Sequence, residues 1–466
     1  MTEKQRTILL VFFDFLTAAI TWFLFYVYRI TSIEKAELTF KEGFFLGILI
    51  VPFFWMFLYA LQGTYHNVLR NYRLKTIKYT LFGTSIGVII VFFSVLLNDF
   101  EHLHLYQQYY KLFFALFILH FTITLLPRLI MTTIHVKRIH SGKFGFKTII
   151  IGGSSKAVEI LKEIRELKPS SGHHFVGFVN INGSDYELKE SLPLLGHLDD
   201  VEAILADESI DEVIIALESS DHERLKGIIT QLSSYDIRIS IMPDAYDILS
   251  GQVHMNSIFG ALLLTTNTSN MPDWQISSKR IFDIMASAIA LIVLIPVYII
   301  LAISVKLSSK GPIFFMQERV GKNRQPFNII KFRTMYVGSE KNGPQLSSSN
   351  DSRITKVGKF LRKTRLDEFP QFWNVLIGDM SLVGPRPERQ HYIDEISKHD
   401  PQYLYLHKVR PGITSWGQVK FGYAENVEQM VQRMKYDLLY IRNMSIALDL
   451  KIMFYTIAII FKGKGK

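Results

Sequence analysis

The chain contains no cysteine among its 466 residues. Disulfides, thiolate nucleophiles and cysteine-ligated zinc or iron–sulfur centres are therefore excluded, and the redox compartment stays undetermined. Internal repeats and low-complexity blocks are also missing. The opening MTEKQR runs into a long apolar stretch without a small-residue cleavage site, so a retained span is expected rather than a signal peptide. Charged residues make up only 20% of the chain against 48% hydrophobic ones, a balance that points to membrane segments. The net charge of +10 fits an anionic membrane surface, nucleic acid or phosphate-rich substrates, and its location has to decide among them.

Four apolar stretches fill the first third: Ile8 to Tyr28, Phe44 to Leu61, Tyr79 to Leu97 and Lys111 to Ile134. Each approaches the ~20 residues that a helix needs to cross a bilayer. Arg70, Arg73, Lys75 and Lys78 occupy the loop between the second and third, and Lys137, Arg138, Lys143 and Lys147 follow the fourth. The other loops carry Glu34, Glu37, Glu42, Asp99 and Glu101. The positive-inside rule then puts the N-terminus and everything after Lys137 in the cytoplasm.

From Phe146 the pattern changes to short apolar strands alternating with helical segments, ending near Asn270. Such alternation predicts a parallel, Rossmann-like α/β domain over 146–270. Gly152-Gly153-Ser154-Ser155-Lys156 stands where a dinucleotide fold carries G-x-G-x-x-G, but the third glycine is missing. Asn180, Ile181 and Asn182 follow the second strand without an acidic ribose ligand, although Asp185 is near. The expectation is a degenerate cofactor fold, with nucleotide binding and regulation both left open.

A fifth apolar run, Ile281 to Val305, has basic flanks at Ser278-Lys279-Arg280 and at Lys306 and Lys310, with Pro296 inside it. Proline removes a backbone donor and kinks a helix. The expected form is a re-entrant helix over 279–308 that breaks near Pro296, against the alternative of an ordinary span. The last stretch, IALDLKIMFYTIAIIFKGKGK, is interrupted by Asp449 and Lys451 and ends in Lys462, Lys464 and Lys466. It reads either as an interfacial helix or as a core-packing helix with a tail.

The densest polar constellation spans residues 356 to 390. Asp367 and Glu368 precede Pro370, which suits the first position of a helix through Leu376, so both carboxylates are expected beside a helix N-terminus. Lys359, Arg362, Lys363, Arg365, Arg386 and Arg389 surround them in sequence. Guanidinium groups bind phosphate oxygens in pairs, so this cluster is suited to holding a diphosphate against the carboxylates. Pro385-Arg386-Pro387-Glu388 fixes the backbone on both sides of one arginine. Arg319, Lys331 and Arg333 add cations upstream, each of which taken singly reads as a surface salt-bridge former.

The segments GPIFFMQERVGK, KFRTM, DSRITKVGKFLRKTRLDEFPQFWNVLIGDMSLVGPRPE, VRPGITSWGQV and YDLLYIRNMSIALDLKI resemble, in that order, the bacterial polyprenyl-phosphate hexose-1-phosphate transferases, the monotopic phosphoglycosyl transferases. The resemblance covers nearly all of 275–461, and the four spans with an α/β module are similar to the family's long form. It implies a membrane protein of three parts: a bundle of four transmembrane helices (1–140), the Rossmann-like domain (146–270) and a re-entrant-helix α/β catalytic domain (275–466). It implies transfer of a hexose-1-phosphate, glucose or galactose, from a UDP-sugar to undecaprenyl phosphate with release of UMP, starting exopolysaccharide, capsule or O-antigen units.

By the same resemblance Asp367 is the nucleophile, forming an aspartyl phospho-sugar in a ping-pong sequence, and Glu368 assists proton transfer. Mg²⁺ is the implied cofactor, with Asp367 as its ligand. Arg362 and Arg386 contact phosphate, Pro385, Arg386, Pro387 and Glu388 form the nucleotide end, and Arg319, Lys331 and Arg333 complete the substrate-binding set. The implied setting is the bacterial inner membrane, multi-pass, with the catalytic domain in the cytoplasm, the lipid bilayer as a partner, a homodimer, and no nucleic acid. This chain differs from the family at Ile295-Pro296, where serine commonly precedes the proline, and over Val419 to Tyr423, which leaves the sugar open. Two other readings compete: a membrane-tethered nucleotide-sugar dehydratase or epimerase, and a non-catalytic export scaffold. The first needs a Tyr-x-x-x-Lys pair, which is absent. The second gives the arginines around Asp367 no purpose.

Overall fold

The computed structural model describes residues 3–96, 106–181, 187–208, 210–217, 222–235, 237–241, 264–265, 271–339, 351–422, 424 and 426–461. Leu97, Asp99, Glu101, Asn182, Asp185, Asn270, Tyr423, Lys462, Lys464 and Lys466, named above, lie outside them. Two compact units emerge, Met1–Phe144 with Pro272–Ile281, and Gly145–Met271 with Phe282–Lys466.

The first unit contains α1 (Glu3–Tyr28), α2 (Glu42–Gln62), α3 (Arg73–Val91) and α4 (Tyr106–His140). These are the four helices long and apolar enough to cross a membrane among the described residues. At 35 residues α4 extends beyond the expected stretch at both ends; at ~1.5 Å per residue it exceeds the ~30 Å hydrocarbon layer and carries its last, basic turn outside it. Trp22, Phe25, Trp55, Tyr59, Val88, Leu112 and Leu116 form the buried core. Close packing depends on small residues, as helix pairs in lipid require: a Cβ at Gly87 would lie 2.1 Å from the Trp55 ring.

Hydropathy gave no notice of the polar centre of this unit. Asp14 on α1 accepts two hydrogen bonds from Arg128 on α4, Nε to Oδ1 and Nη2 to Oδ2, both 2.7 Å. Tyr65 donates to the same carboxylate at 2.9 Å, and Arg128 also donates to Thr80 at 3.0 Å. The guanidinium carbon stands 3.9 Å from the Tyr59 ring centre. Both charged side chains are almost fully buried, and a charge in that position persists only when paired.

In the second unit, six strands form one sheet in the order β3-β2-β1-β4-β5-β6. They are β1 (Phe146–Ile151), β2 (His173–Asn180), β3 (Leu194–His197), β4 (Glu212–Ile215), β5 (Arg238–Ile241) and β6 (Leu264–Thr265). All neighbours are parallel except β5 and β6. The helices α5 (Ser155–Glu166), α6 (Val201–Glu208) and α7 (His222–Leu232) connect them. Strand β1 is apolar on both faces, with Ile149 and Ile151 in one core and Ile150 in another, as a covered parallel sheet demands. Gly152 leaves β1 at φ +117, where a Cβ would meet the Ala216 carbonyl oxygen at 2.5 Å. Lys156 donates to the Leu217 carbonyl at 2.7 Å, so its ammonium is occupied by the chain just past the end of β4.

Helices α8 (Asp273–Val293) and α9 (Ile295–Ser308) meet at a bend of 63°. Pro296 sits in the first turn of α9, where its missing N–H costs no hydrogen bond. A hairpin follows, β7 (Phe314–Val320) with β8 (Pro326–Phe332). Then come α10 (Lys356–Thr364), the 3₁₀ turn Leu366–Glu368 and α11 (Gln371–Ile377). Strands β9 (Ser381–Val383) and β10 (Gly412–Thr414) pair in parallel, with α12 (Gln390–His399) between them. The chain closes with α13 (Trp416–Lys420), α14 (Val427–Arg442) and α15 (Ile446–Phe461).

Val383, Ile393, Ile396, Met434, Tyr440 and Ile452 belong to the core of this part. Asp283 of α8 is buried and accepts from the Ser381 hydroxyl at 2.7 Å and the Leu382 N–H at 3.1 Å. The terminal helix combines both expected characters: Ile452 is buried and Asp449 accepts from Tyr440 at 2.7 Å, whereas Leu450, Phe454 and Ile457 are exposed.

Candidate active site

A cavity of about 580 Å³ opens among the β7–β8 hairpin, the 366–368 turn, the segment after β9 and α14. Its lining includes Asp367, Glu368, Arg319, Lys331, Arg333, Arg362, Arg386 and Glu388, so residues spread over 70 positions of sequence meet in one place. Pro385 and Pro387 are not part of the lining but bracket Arg386, and Pro296 stands apart in α9. Among the described residues, seven cationic side chains face the cavity against three carboxylates. The surplus of positive charge suits a polyanionic ligand.

Arg365 adopts φ +58 and ends α10, turning the chain inward through Leu366–Glu368. Pro370 is the residue capping α11, one position earlier than expected, because Phe369 already continues the preceding turn. The two carboxylates therefore ride on a 3₁₀ turn that leads directly into the N-terminus of α11, as expected.

Their settings differ sharply. Glu368 Oε1 accepts from Lys331 Nζ at 2.9 Å and lies 3.4 Å from Arg386 Nη2, and Arg365 stands 3.8 Å from Oε2. Burial opposes ionisation, yet Lys331, Arg386 and Arg365 together hold this carboxyl well below the usual range. Asp367 accepts no hydrogen bond from any described residue. Burial, followed by the neighbouring Glu368 charge, pushes it up to about 6 against the pull of Lys331, Arg362 and Arg386. One carboxylate is neutralised and fixed, and the other is left exposed to whatever enters.

The remaining groups form a frame. Arg319 Nη1 donates to the Pro387 carbonyl at 3.1 Å and to Glu388 Oε2 at 3.2 Å, while Nη2 donates to Gln317 at 2.8 Å. Arg433 Nη2 donates to Glu388 Oε1 at 2.7 Å. The backbone is held as well, with the Val320 N–H on the Glu388 carbonyl at 3.1 Å and the Gly412 N–H on the Pro385 carbonyl at 2.9 Å. Arg333 donates to the Ser309 and Lys310 carbonyls, both at 2.7 Å, and so satisfies carbonyls left open just past the end of α9. Arg362 donates to Thr334 through Nε at 2.9 Å, and its two terminal nitrogens bond no described residue.

Sequence reasoning missed Arg433. Its signal was spacing: Met430, Arg433, Met434 and Asp437 share the buried face of α14, and a charge on such a face needs a partner. It also missed Asp283, a carboxylate in an apolar run whose partner lies 98 residues away.

A divalent ion has a limited protein donor set here. Among the described residues no group of three or more His, Asp or Glu side chains could hold a metal. The unbonded Asp367 carboxylate is one anionic oxygen donor, which suits Mg²⁺, an ion usually bound by one or two carboxylates plus substrate phosphates and water.

Residues 274–463 match the bacterial sugar transferase family, and residues 62–243 match a CoA-binding domain. A UDP-N-acetylgalactosamine-undecaprenyl-phosphate N-acetylgalactosaminephosphotransferase of Aeromonas hydrophila is 46% identical over 187 residues, 40% of this chain and 44% of that protein. A UDP-glucose:undecaprenyl-phosphate glucose-1-phosphate transferase of Klebsiella pneumoniae is 39% identical over 257 residues, 55% of each chain. An uncharacterized sugar transferase of Haemophilus influenzae is 31% identical over 348 residues, 70% of this chain and 71% of that one. The chain spans about half the length of the Aeromonas and Klebsiella relatives.

Proposed function

The chain belongs to the bacterial sugar transferases, and from that premise we propose that its charged cavity moves a sugar-1-phosphate from a UDP-sugar to undecaprenyl phosphate. The observation that carries the proposal is the asymmetry of the acidic pair: Glu368 is surrounded by three cations, and Asp367 has no hydrogen-bond donor among the described residues.

In the first displacement an Asp367 oxygen attacks the β-phosphorus of the donor. The bond from that phosphorus to the bridging oxygen breaks, UMP leaves with the oxygen, and the sugar phosphate remains on the aspartate as an acyl phosphate. In the second, an oxygen of undecaprenyl phosphate attacks the same phosphorus and the Asp367 carboxylate is released. Arg362, whose two terminal nitrogens bond no described residue, and Arg386 hold phosphate oxygens in this reading, where a forked cation stabilises developing charge. Glu368, held ionised by Lys331, Arg386 and Arg365, fixes those cations in position and assists proton transfer as the polyprenyl phosphate attacks. Mg²⁺, bound through Asp367 and donor phosphates, would neutralise charge that otherwise repels the anionic attack. Two sequential displacements give ping-pong kinetics.

The relatives act on different sugars, so the donor class proposed is a UDP-hexose or UDP-N-acetylhexosamine. The bend between α8 and α9 and the basic residues on both flanks support a re-entrant pair that leaves the catalytic side in the cytoplasm. The test uses the full chain in detergent with undecaprenyl phosphate, Mg²⁺ and UDP-hexoses carrying a labelled β-phosphate. UMP release with label recovered on Asp367 is expected. Sustained turnover by Asp367→Asn would overturn the reading.

A further inference from the structure

A second cavity, of about 200 Å³, lies wholly within the helical unit, among α1, the segment between α2 and α3, α3 itself and α4. Arg6, Lys75, Arg128, His135 and Arg138 line it, and no acidic side chain among the described residues does. Two of these charges are already matched: Lys75 lies 3.1 Å from Asp273, and Arg128 lies 2.7 Å from Asp14. Arg6 and Arg138 are matched by no acidic side chain among the described residues and act on each other as like charges. Arg138 is exposed and Arg6 half-buried, so the pair is open to a ligand, and an anion between two like charges relieves their repulsion.

Hydrogen bonding is unfinished at the same place. Arg6 Nε, Asn71 Oδ1 and His135 Nδ1 are buried and have no partner among the described residues. His135 Nε2 lies 2.7 Å from the Leu69 carbonyl, which only accepts, so Nε2 carries hydrogen. Nδ1 of the neutral ring, like Asn71 Oδ1, is then an acceptor suited to a head-group hydroxyl, and Arg6 Nε, unpartnered among the described residues, is the donor suited to its phosphate. Buried polar groups are seldom left unsatisfied in folded proteins.

Part of the lining is apolar, with Leu9, Leu10, Met131 and Ile134 beside the cations, and Ile134 is half exposed. Arg6 belongs to the first turns of α1 and Arg138 to the last turn of α4, so the charges gather at one end of the bundle. Cations at a helix-bundle end next to apolar wall match a molecule with an anionic head and a hydrocarbon tail, and basic pockets between membrane helices bind such head groups. We propose that this cleft binds the phosphate group of an anionic membrane lipid, with Arg6 and Arg138 as its counter-ions. The site is separate from the charged cavity of the second unit and stands whether or not the transferase reading holds.

The experiment takes the full chain, delipidated in detergent, and follows binding of phosphatidylglycerol, phosphatidylcholine and inorganic phosphate by native mass spectrometry. Phosphatidylglycerol is expected to be retained roughly tenfold over phosphatidylcholine, a difference of about 1.4 kcal/mol. The double variant Arg6→Gln/Arg138→Gln should abolish that preference, while Arg6→Lys/Arg138→Lys and the exposed control Lys78→Gln should keep it. Undiminished preference in the glutamine variant overturns the site. Inorganic phosphate binding as tightly as the lipid overturns the lipid source. A readout on the unaltered protein guards against misfolding: photoreactive phosphatidylglycerol should label peptides containing Arg6 or Arg138, and labelling confined to other peptides refutes the assignment.

Discussion

Replacing Asp367 by asparagine should abolish turnover and at the same time make the protein more stable. The carboxyl is raised from an ordinary value of 3.8 to about 6, so its ionised form is a burden on the folded state. That displacement corresponds to about 3 kcal/mol, because each pH unit of difference is worth ~1.4 kcal/mol. The asparagine side chain resembles the protonated acid in shape and charge and would be spared that burden.

The sign fixes the pH dependence. Below the unfolded value of ~4, both states bind the proton and the substitution gains nothing. The gain grows as pH rises towards about 6 and is constant above it. For a part of this size, about 3 kcal/mol moves the unfolding midpoint by roughly 6–12 °C. Intrinsic tryptophan fluorescence during heating in detergent, at about pH 4 and about pH 8, reads the difference directly. A variant no more stable than the parent at the higher pH, or equally stabilised at both, would refute the electrostatic account of Asp367 even if activity were lost.

Three further outcomes follow from the same geometry. The rate of UMP release per donor encounter should fall on acidification through about 6, the value to which Asp367 is raised; in Glu368→Gln the acid limb of the pH profile should move lower, because a neighbouring negative charge is gone, and an unmoved limb would contradict the coupling. Arg433→Met leaves Glu388 buried with Arg319 as its remaining close ion pair; a loss of about 3–5 kcal/mol is expected, read as a lower unfolding midpoint together with a raised KM for the UDP-sugar. In the helical unit, Asp14→Asn strands the Arg128 charge and should destabilise by a similar ~3–5 kcal/mol, whereas Asp14→Asn/Arg128→Met should recover much of it; a double variant worse than the single one would show that the pair is not the cause.

Elements whose stability comes from local patterning could be read from the sequence. The spans, the β1 and β4 runs and the break near Pro296 each announce themselves within a window of one helix or strand. The cluster of arginines around Asp367 was legible for the same reason, since α10 and the following turn are consecutive. What sequence could not assign was which cation serves which acid. Arg319 and Arg333 look equally suited to phosphate, yet one clamps the Pro387-Glu388 backbone and the other holds carbonyls just past the end of α9. That choice depends on tertiary neighbours dozens of residues away. Asp14 and Arg128 escaped for a related reason, because a charge inside an apolar run lowers hydropathy without naming its partner, here 114 residues distant.

Asp283 couples two pieces of machinery that otherwise look independent. Its carboxylate grips a hydroxyl and an amide of consecutive residues in β9, the strand that runs straight into the turn carrying Arg386. Helix α8 is therefore tied to the strand that leads into that turn through one side chain. A change in the tilt of α8 is thereby expected to reach the Arg386 guanidinium through the two hydrogen bonds of a single carboxylate.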